Sequence, residues 1–126
     1  VIDRFRSFIH VQITETGLQH TPWQTWRKDF VLILTMGSPD PSEAAPVIDL
    51  FQFMTSMLGQ GNRLHVITAT RLAVVGQVTR SKKELEKLYG KLNLPPRLAA
   101  GDYERNQRLL EECEQLAKKL TITLRL

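Results

Sequence analysis

The residues of this chain that are best suited to hold a ligand lie in one short segment, FVLILTMGSPD, from Phe30 to Asp40. Its first part is apolar and predicts a buried strand, and its second part is a small-residue loop at the mouth of a helix. In an open parallel sheet, ligands bind outside the carboxyl ends of the strands. The segment therefore predicts either a ligand-facing loop or a plain strand-to-helix turn with a helix cap.

Other chemistry finds little support in the sequence. The three histidines, His10, His20 and His65, do not stand at metal-ligand spacing with each other or with Cys113, so no metal site is expected. His65 alternates with apolar neighbours, which favours a half-buried, hydrogen-bonded side chain. The sequence has no four-cysteine cluster motif, no Gly-x-Ser-x-Gly elbow and no Walker loop, and we expect no catalytic side chain.

Composition is that of an ordinary globular protein of one domain. No apolar run approaches the roughly 20 residues of a membrane-spanning helix, and no signal peptide is visible, so we expect no membrane association. A single cysteine suits a reducing cytoplasm. The net charge is +4, but the basic residues are not arranged in a stripe with aromatic residues between them, so we expect no nucleic acid partner. Basic and acidic residues alternate from Arg80 to Lys91, which favours a solvated helix face over a docking surface for acidic partners.

Helix and strand signals alternate along the chain. VIDRFRSFIH predicts the middle of a helix, residues 13–29 a long polar connection, and Phe30–Thr35 a strand apolar on both faces. Asp40, with Pro41 and Glu43, predicts a capped helix that ends at Gly59. Two tryptophans, Trp23 and Trp26, lie within the connection. We expect them to anchor the loop to the body of the protein instead of covering a ligand ring.

The second half continues the alternation. Arg63–Ala69 predicts a strand that continues loosely through LAVVGQV, and Ser81 with Glu84 predicts a capping box. A last helix is predicted from an Asp102 cap, followed by a tail, TITLRL, that forms a short edge strand or an ordered end. Because two strands would leave both sheet edges open, we expect the chain to begin inside a larger domain.

The order of these pieces resembles the C-terminal half of a flavodoxin-like, NAD(P)H-dependent FMN reductase, a group that includes iron–sulfur flavoproteins. The matching stretches are VIDRF at Val1, FVLILTMGSP at Phe30, the MLG that ends the next helix, LHVITATRLAVVGQV, and LLEECEQLAKKL. The resemblance implies an α/β fold with a doubly wound parallel sheet, of which residues 1–126 form the C-terminal part. The Ser/Gly-rich phosphate loop of the family has no counterpart in this sequence.

The resemblance also implies a site and an activity. The loop after the strand at Phe30 would line one edge of the flavin ring, with hydrogen bonds from the Thr35 hydroxyl and from the amides of Met36, Gly37 and Ser38. The implied activity is hydride transfer from NAD(P)H through bound FMN to a quinone or another small-molecule acceptor. For this chain alone we expect weak or no FMN binding and little activity.

A different class of function remains open on the same sequence. The chain could be a non-catalytic α/β interaction module that forms a homo-oligomer, most simply a dimer, through an open sheet edge.

Overall fold

The computed structural model describes residues 2–124, which group into two compact units. The first unit contains the residues up to Leu34 together with Pro41–Val66. The second contains Thr35–Asp40 and the residues from Ile67 onward. The described fold is mixed α/β, with two small sheets and three α-helices.

The first unit begins with a 3-10 helix, Ile2–Phe8, and an antiparallel hairpin of β1 (Ile9–Thr14) and β2 (Gly17–Pro22). The prediction of a helix through Ile9 and of a long irregular connection from residue 13 was therefore wrong. Alternating β-branched residues carry the chain into a strand at Ile9. Gly17 then permits the turn with a φ of 133°, and its carbonyl accepts a 2.8 Å hydrogen bond from the Thr14 hydroxyl.

The second sheet is a parallel pair of β3 (Asp29–Thr35) and β4 (Arg63–Ala69), as the sequence predicts. The Arg63 amide donates to the Lys28 carbonyl at one end of the pair, and the Met36 amide donates to the Ala69 carbonyl at the other. Both carboxyl ends therefore lie at the same edge of the sheet. The prediction that both faces of β3 are covered by helices was wrong, because Val31 and Ile33 are 44% and 58% exposed.

Helix α1 spans Ala45–Leu58 and follows a 3-10 turn, Pro41–Ala44. The helical segment begins at Pro41, directly after Asp40 as predicted, but its first turn is 3-10 and the α-helix proper starts only after Ala44. Pro46 supplies the reason. It has no amide proton to donate, so the α-helix begins where Pro46 falls in the first turn and needs no partner.

The end of α1 is held by Trp26, whose amide donates a 2.8 Å hydrogen bond to the Leu58 carbonyl. Gly59 ends the helix as predicted, and its backbone lies against that of Trp26: a Cβ on Gly59 would stand 2.2 Å from the Trp26 carbonyl oxygen. The Trp26 ring lies against Phe8, with centroids 5.4 Å apart, and stacks on Phe30. Trp26 therefore pins the connection, whereas Trp23 is 71% exposed.

The second unit is built on α2 (Lys82–Lys91) and α3 (Leu98–Leu124), which pack on each other. Their shared core contains the buried side chains of Leu85, Leu88, Tyr89 and Ala99. The predicted capping box is confirmed: the Ser81 hydroxyl accepts from the Glu84 amide, and the Glu84 carboxylate accepts from the Ser81 amide.

Helix α3 differs from the prediction at both ends. It begins at Leu98, two residues after Pro96, so Asp102 lies in its second turn and is not a cap. At the other end the helix continues through Leu124, so of the two alternatives for the tail the edge strand was wrong. The Thr121 hydroxyl bonds back to the Ala117 carbonyl at 2.7 Å, a pattern that helices accommodate. Residues 125 and 126 lie outside the described chain.

Candidate functional site

The candidate site lies in the second unit, where the segment after β3 meets the segment after β4. The Met36 carbonyl accepts from the Leu72 amide at 2.9 Å, and the Ser38 carbonyl accepts from the Arg71 amide at 3.2 Å. Two backbone hydrogen bonds thus hold the predicted loop, Thr35–Asp40, against Arg71 and Leu72. The sequence correctly predicted that Thr35–Asp40 lies at this edge of the sheet, and it did not predict that the segment at Arg71 and Leu72 lies beside it.

A cleft of about 330 Å³ opens beside this junction, lined by Thr35 and residues 72–78. The lining is mostly apolar side chain, with Val75 97% exposed. Gly76 turns the chain with a φ of 73°, which an L-residue adopts at a cost. At about 330 Å³ the cleft lies at the small end of the range for ligand pockets.

Residues 72–78 are an ordered loop with a 3-10 turn, Gln77–Thr79, so the predicted continuation of β4 as a strand was wrong. The buried Gln77 side chain replaces the strand pairing. Its oxygen accepts from the amides of Ala73 and Val74 at 2.9 and 3.2 Å, and its nitrogen donates to the Arg71 carbonyl at 2.8 Å. One amide group therefore fixes the shape of the loop that lines the cleft.

Arg71 connects this loop to α3. Its backbone takes a left-handed φ of 53°, which is uncommon outside glycine and asparagine. Its guanidinium donates to the Asp102 carboxylate at 2.6 Å, and Asp102 is 1% exposed. Tyr89 donates to the other carboxylate oxygen at 2.5 Å. The buried Asp102 therefore holds both the loop and α2.

Burial and the neighbouring Asp102 carboxylate together raise the pKa of Tyr89 to about 12. The phenol thus stays protonated and remains a donor to Asp102 over the whole physiological range. This side chain is a structural donor and no general base at neutral pH.

Arg105 completes the polar cluster one turn along α3. It lies 3.6 Å from Asp102, and it donates to the Asn106 side-chain oxygen at 2.8 and 3.3 Å and to the Thr70 hydroxyl at 3.4 Å. No sequence motif indicated this cluster, because its members come from three separate elements. The only available signal was the presence of polar residues, Asp102 and Asn106, on the side of α3 that packs inward.

The predicted donors of the first loop differ in their availability. The Met36 amide is engaged by the Ala69 carbonyl at 2.9 Å. This leaves the Thr35 hydroxyl and the amides of Gly37 and Ser38 as the donors that this loop could offer. A Cβ on Gly37 would meet nothing within 4 Å, so the backbone there is open to close approach.

A second polar group lies in the first unit, where β3 begins at Asp29. Asp29 accepts from His65 at 2.9 Å and from Arg63 at 2.8 and 2.9 Å. The hydrogen bond from His65, followed by that from Arg63, lowers the pKa of Asp29. The prediction of a half-buried, bonded His65 is confirmed, since its side chain is 22% exposed.

The first unit also has a wider cleft of about 640 Å³, lined by residues from β2, the Trp26 segment and the end of α1. His20, Arg27 and Met57 are among its lining residues. Within residues 2–124, no three His, Cys, Asp or Glu side chains converge as metal ligands. Nor does any helix in that range have the length and apolarity needed to cross a membrane.

The chain matches no protein-family model, no curated protein and no solved structure.

Proposed function

We propose that the chain forms part of an NAD(P)H-dependent FMN or quinone oxidoreductase with a flavodoxin-like, doubly wound sheet, and that Thr35–Ser38 contact one edge of the flavin ring. The observation that supports this proposal best is the junction of the two loops at the carboxyl ends of the parallel strands β3 and β4. Ligands of open parallel sheets bind at this edge.

The residues present fit one edge of a flavin ring. A flat ring needs a narrow apolar cleft and a few donors for its ring oxygens. The cleft beside Thr35 would supply the apolar surface, and the amides of Gly37 and Ser38, which follow Thr35 in the chain, would supply donors. When bound, FMN would supply the hydride chemistry between NAD(P)H and the acceptor, while this chain binds and orients one side of the ring. We place this activity in the cytoplasm, in keeping with the lone Cys113.

Titration of FMN into the full chain, followed by quenching of flavin fluorescence, tests the proposal. Gly37→Ala should reduce the weak quenching, because the added methyl group occupies space on the loop that is open in the protein itself. Gly101→Ala is the matched control, since a Cβ there also meets nothing within 4 Å, and it lies on α3 away from the cleft. Quenching that both variants reduce equally, or that Gly101→Ala alone reduces, contradicts the proposal.

A second candidate function is a non-catalytic interaction module that forms a dimer through an open sheet edge. A separate observation favours it. Within the described residues, β3 pairs with β4 alone, and Val31 and Ile33 expose apolar surface on one face of β3. Sedimentation equilibrium distinguishes this function. Ile33→Lys should convert a dimer to a monomer, whereas Ile122→Lys, at a 63% exposed position on α3, should not. A monomeric parent protein excludes the interaction module.

A further inference from the structure

The polar cluster of the second unit contains two arginines directed at one buried carboxylate oxygen. Arg71 Nη2 lies 2.6 Å and Arg105 Nη1 lies 3.6 Å from Oδ1 of Asp102. Asp102 is 1% exposed, whereas the Arg71 and Arg105 side chains are 36% and 22% exposed. The carboxylate therefore fixes the two guanidiniums from the inside and leaves part of each open to solvent.

The charges of this cluster do not cancel. Two guanidiniums face a single carboxylate, whose other oxygen is occupied by the neutral Tyr89 hydroxyl. The group thus carries one excess positive charge in a partly buried setting, where electrostatic attraction is screened less than at an open surface.

Two donors in the same cluster lack an acceptor. Among the described residues, Nε of Arg71 and Nδ2 of Asn106 are buried and have no hydrogen-bond partner, and Asn106 is 0% exposed. An unsatisfied buried donor is costly and calls for an explanation, and a bound acceptor is one such explanation. Arg71 is held here in spite of its left-handed backbone, a kind of strain that clusters at ligand sites.

We propose that Arg71 and Arg105, which the buried Asp102 and Asn106 hold in place, bind the phosphate group of an organic phosphate. Each guanidinium keeps part of its charged group open to solvent, and a tetrahedral dianion has enough oxygens to bridge the two guanidiniums. A carboxylate offers only two oxygens and one charge. This site requires no flavin and lies on different residues from the proposed ring contacts, so either proposal can fail without the other.

Isothermal titration of the full chain with inorganic phosphate, pyrophosphate and ADP at low salt tests the site. Arg105→Lys, which keeps the charge and removes the planar guanidinium, should weaken binding about tenfold. Arg108→Lys is the control, because Arg108 is an exposed arginine on the same helix and should change nothing. Binding supports the site whichever ligand binds more tightly. Tighter binding of ADP than of inorganic phosphate identifies a nucleotide as the source, and equal affinities identify the phosphate group alone. No saturable binding, or equal weakening by both variants, overturns the proposal.

A second measurement keeps the test decisive if Arg105→Lys fails to fold. In the unsubstituted chain, phosphate should shift the guanidinium Nε resonances of Arg71 and Arg105 and leave that of Arg108 in place. Shifts spread evenly over the arginines would mean non-specific ion pairing and would also overturn the proposal.

Discussion

The Tyr89 hydroxyl donates a 2.5 Å hydrogen bond to the Asp102 carboxylate, and both side chains are 1% exposed. This contact ties α2 to α3 beneath the loop that lines the cleft. Tyr89→Phe should lower the free energy of unfolding by about 1.5–3 kcal/mol, because a buried charged acceptor loses its neutral donor. Urea denaturation measures the change. Tyr103→Phe, a partly buried tyrosine on α3, is the control, and an equal loss in both variants would contradict this role for Tyr89.

Alkaline pH should destabilise the protein through the same residue. The folded-state pKa of Tyr89 is raised above its ordinary value of 10.0 to about 12, so the folded state retains the proton longer than the unfolded state does. The corresponding stability is fully present below pH 10 and is lost as the pH rises towards 12. Thermal melts across this range should show a falling melting temperature, and Tyr89→Phe should remove that part of the slope. An unchanged slope in the variant would place the alkaline loss elsewhere.

Acid should act on the other unit through Asp29. Hydrogen bonds from His65 and Arg63 hold its pKa below the ordinary 3.8, so its contribution is present above 3.8 and is lost as the pH falls through the lower folded-state value. Asp29→Asn should therefore flatten the acid limb of the stability curve. Asp49→Asn on the exposed side of α1 is the control. The two substitutions can be compared by chemical denaturation at a series of acid pH values, and equal acid limbs in Asp29→Asn and the parent protein would argue against this assignment.

Gly59 should tolerate no side chain. Alanine there would place Cβ 2.2 Å from the Trp26 carbonyl oxygen, at a φ of 158°, so the end of α1 and the Trp26 segment would have to separate. We expect Gly59→Ala to cost at least about 2 kcal/mol. Gly90→Ala in α2 meets nothing within 4 Å and should instead stabilise the helix by about 0.5–1 kcal/mol. Differential scanning calorimetry on the pair measures both signs, and equal effects would refute the steric explanation.

The sequence predicted those elements whose signals are local. Ser81 and Glu84 carry the whole capping box within four residues, and the apolar runs at β3 and β4 have few alternatives to a strand. Gly59 was found in the same way, as the first glycine after a helical repeat.

The errors arose where distant contacts decide the conformation. Asp102 has the residue type of a helix cap, yet Tyr89 and Arg71 make it a buried acceptor inside α3. The run after β4 is apolar enough for a strand, but the Gln77 side chain and the left-handed Arg71 fold it into a loop. Of the candidate site, the loop at Thr35–Ser38 could be predicted, whereas the loop beside it and the arginine cluster could not.

The central claim is that the junction of the two loops binds the edge of a flavin ring, and backbone amide chemical shifts with lumiflavin test it most directly. Lumiflavin has the ring without the phosphate, so its binding does not depend on a phosphate loop. The account predicts small, saturable shifts confined to Thr35–Ser38 and residues 72–78. Shifts that are absent, or that map to the His20–Trp26 cleft of the first unit, would contradict it.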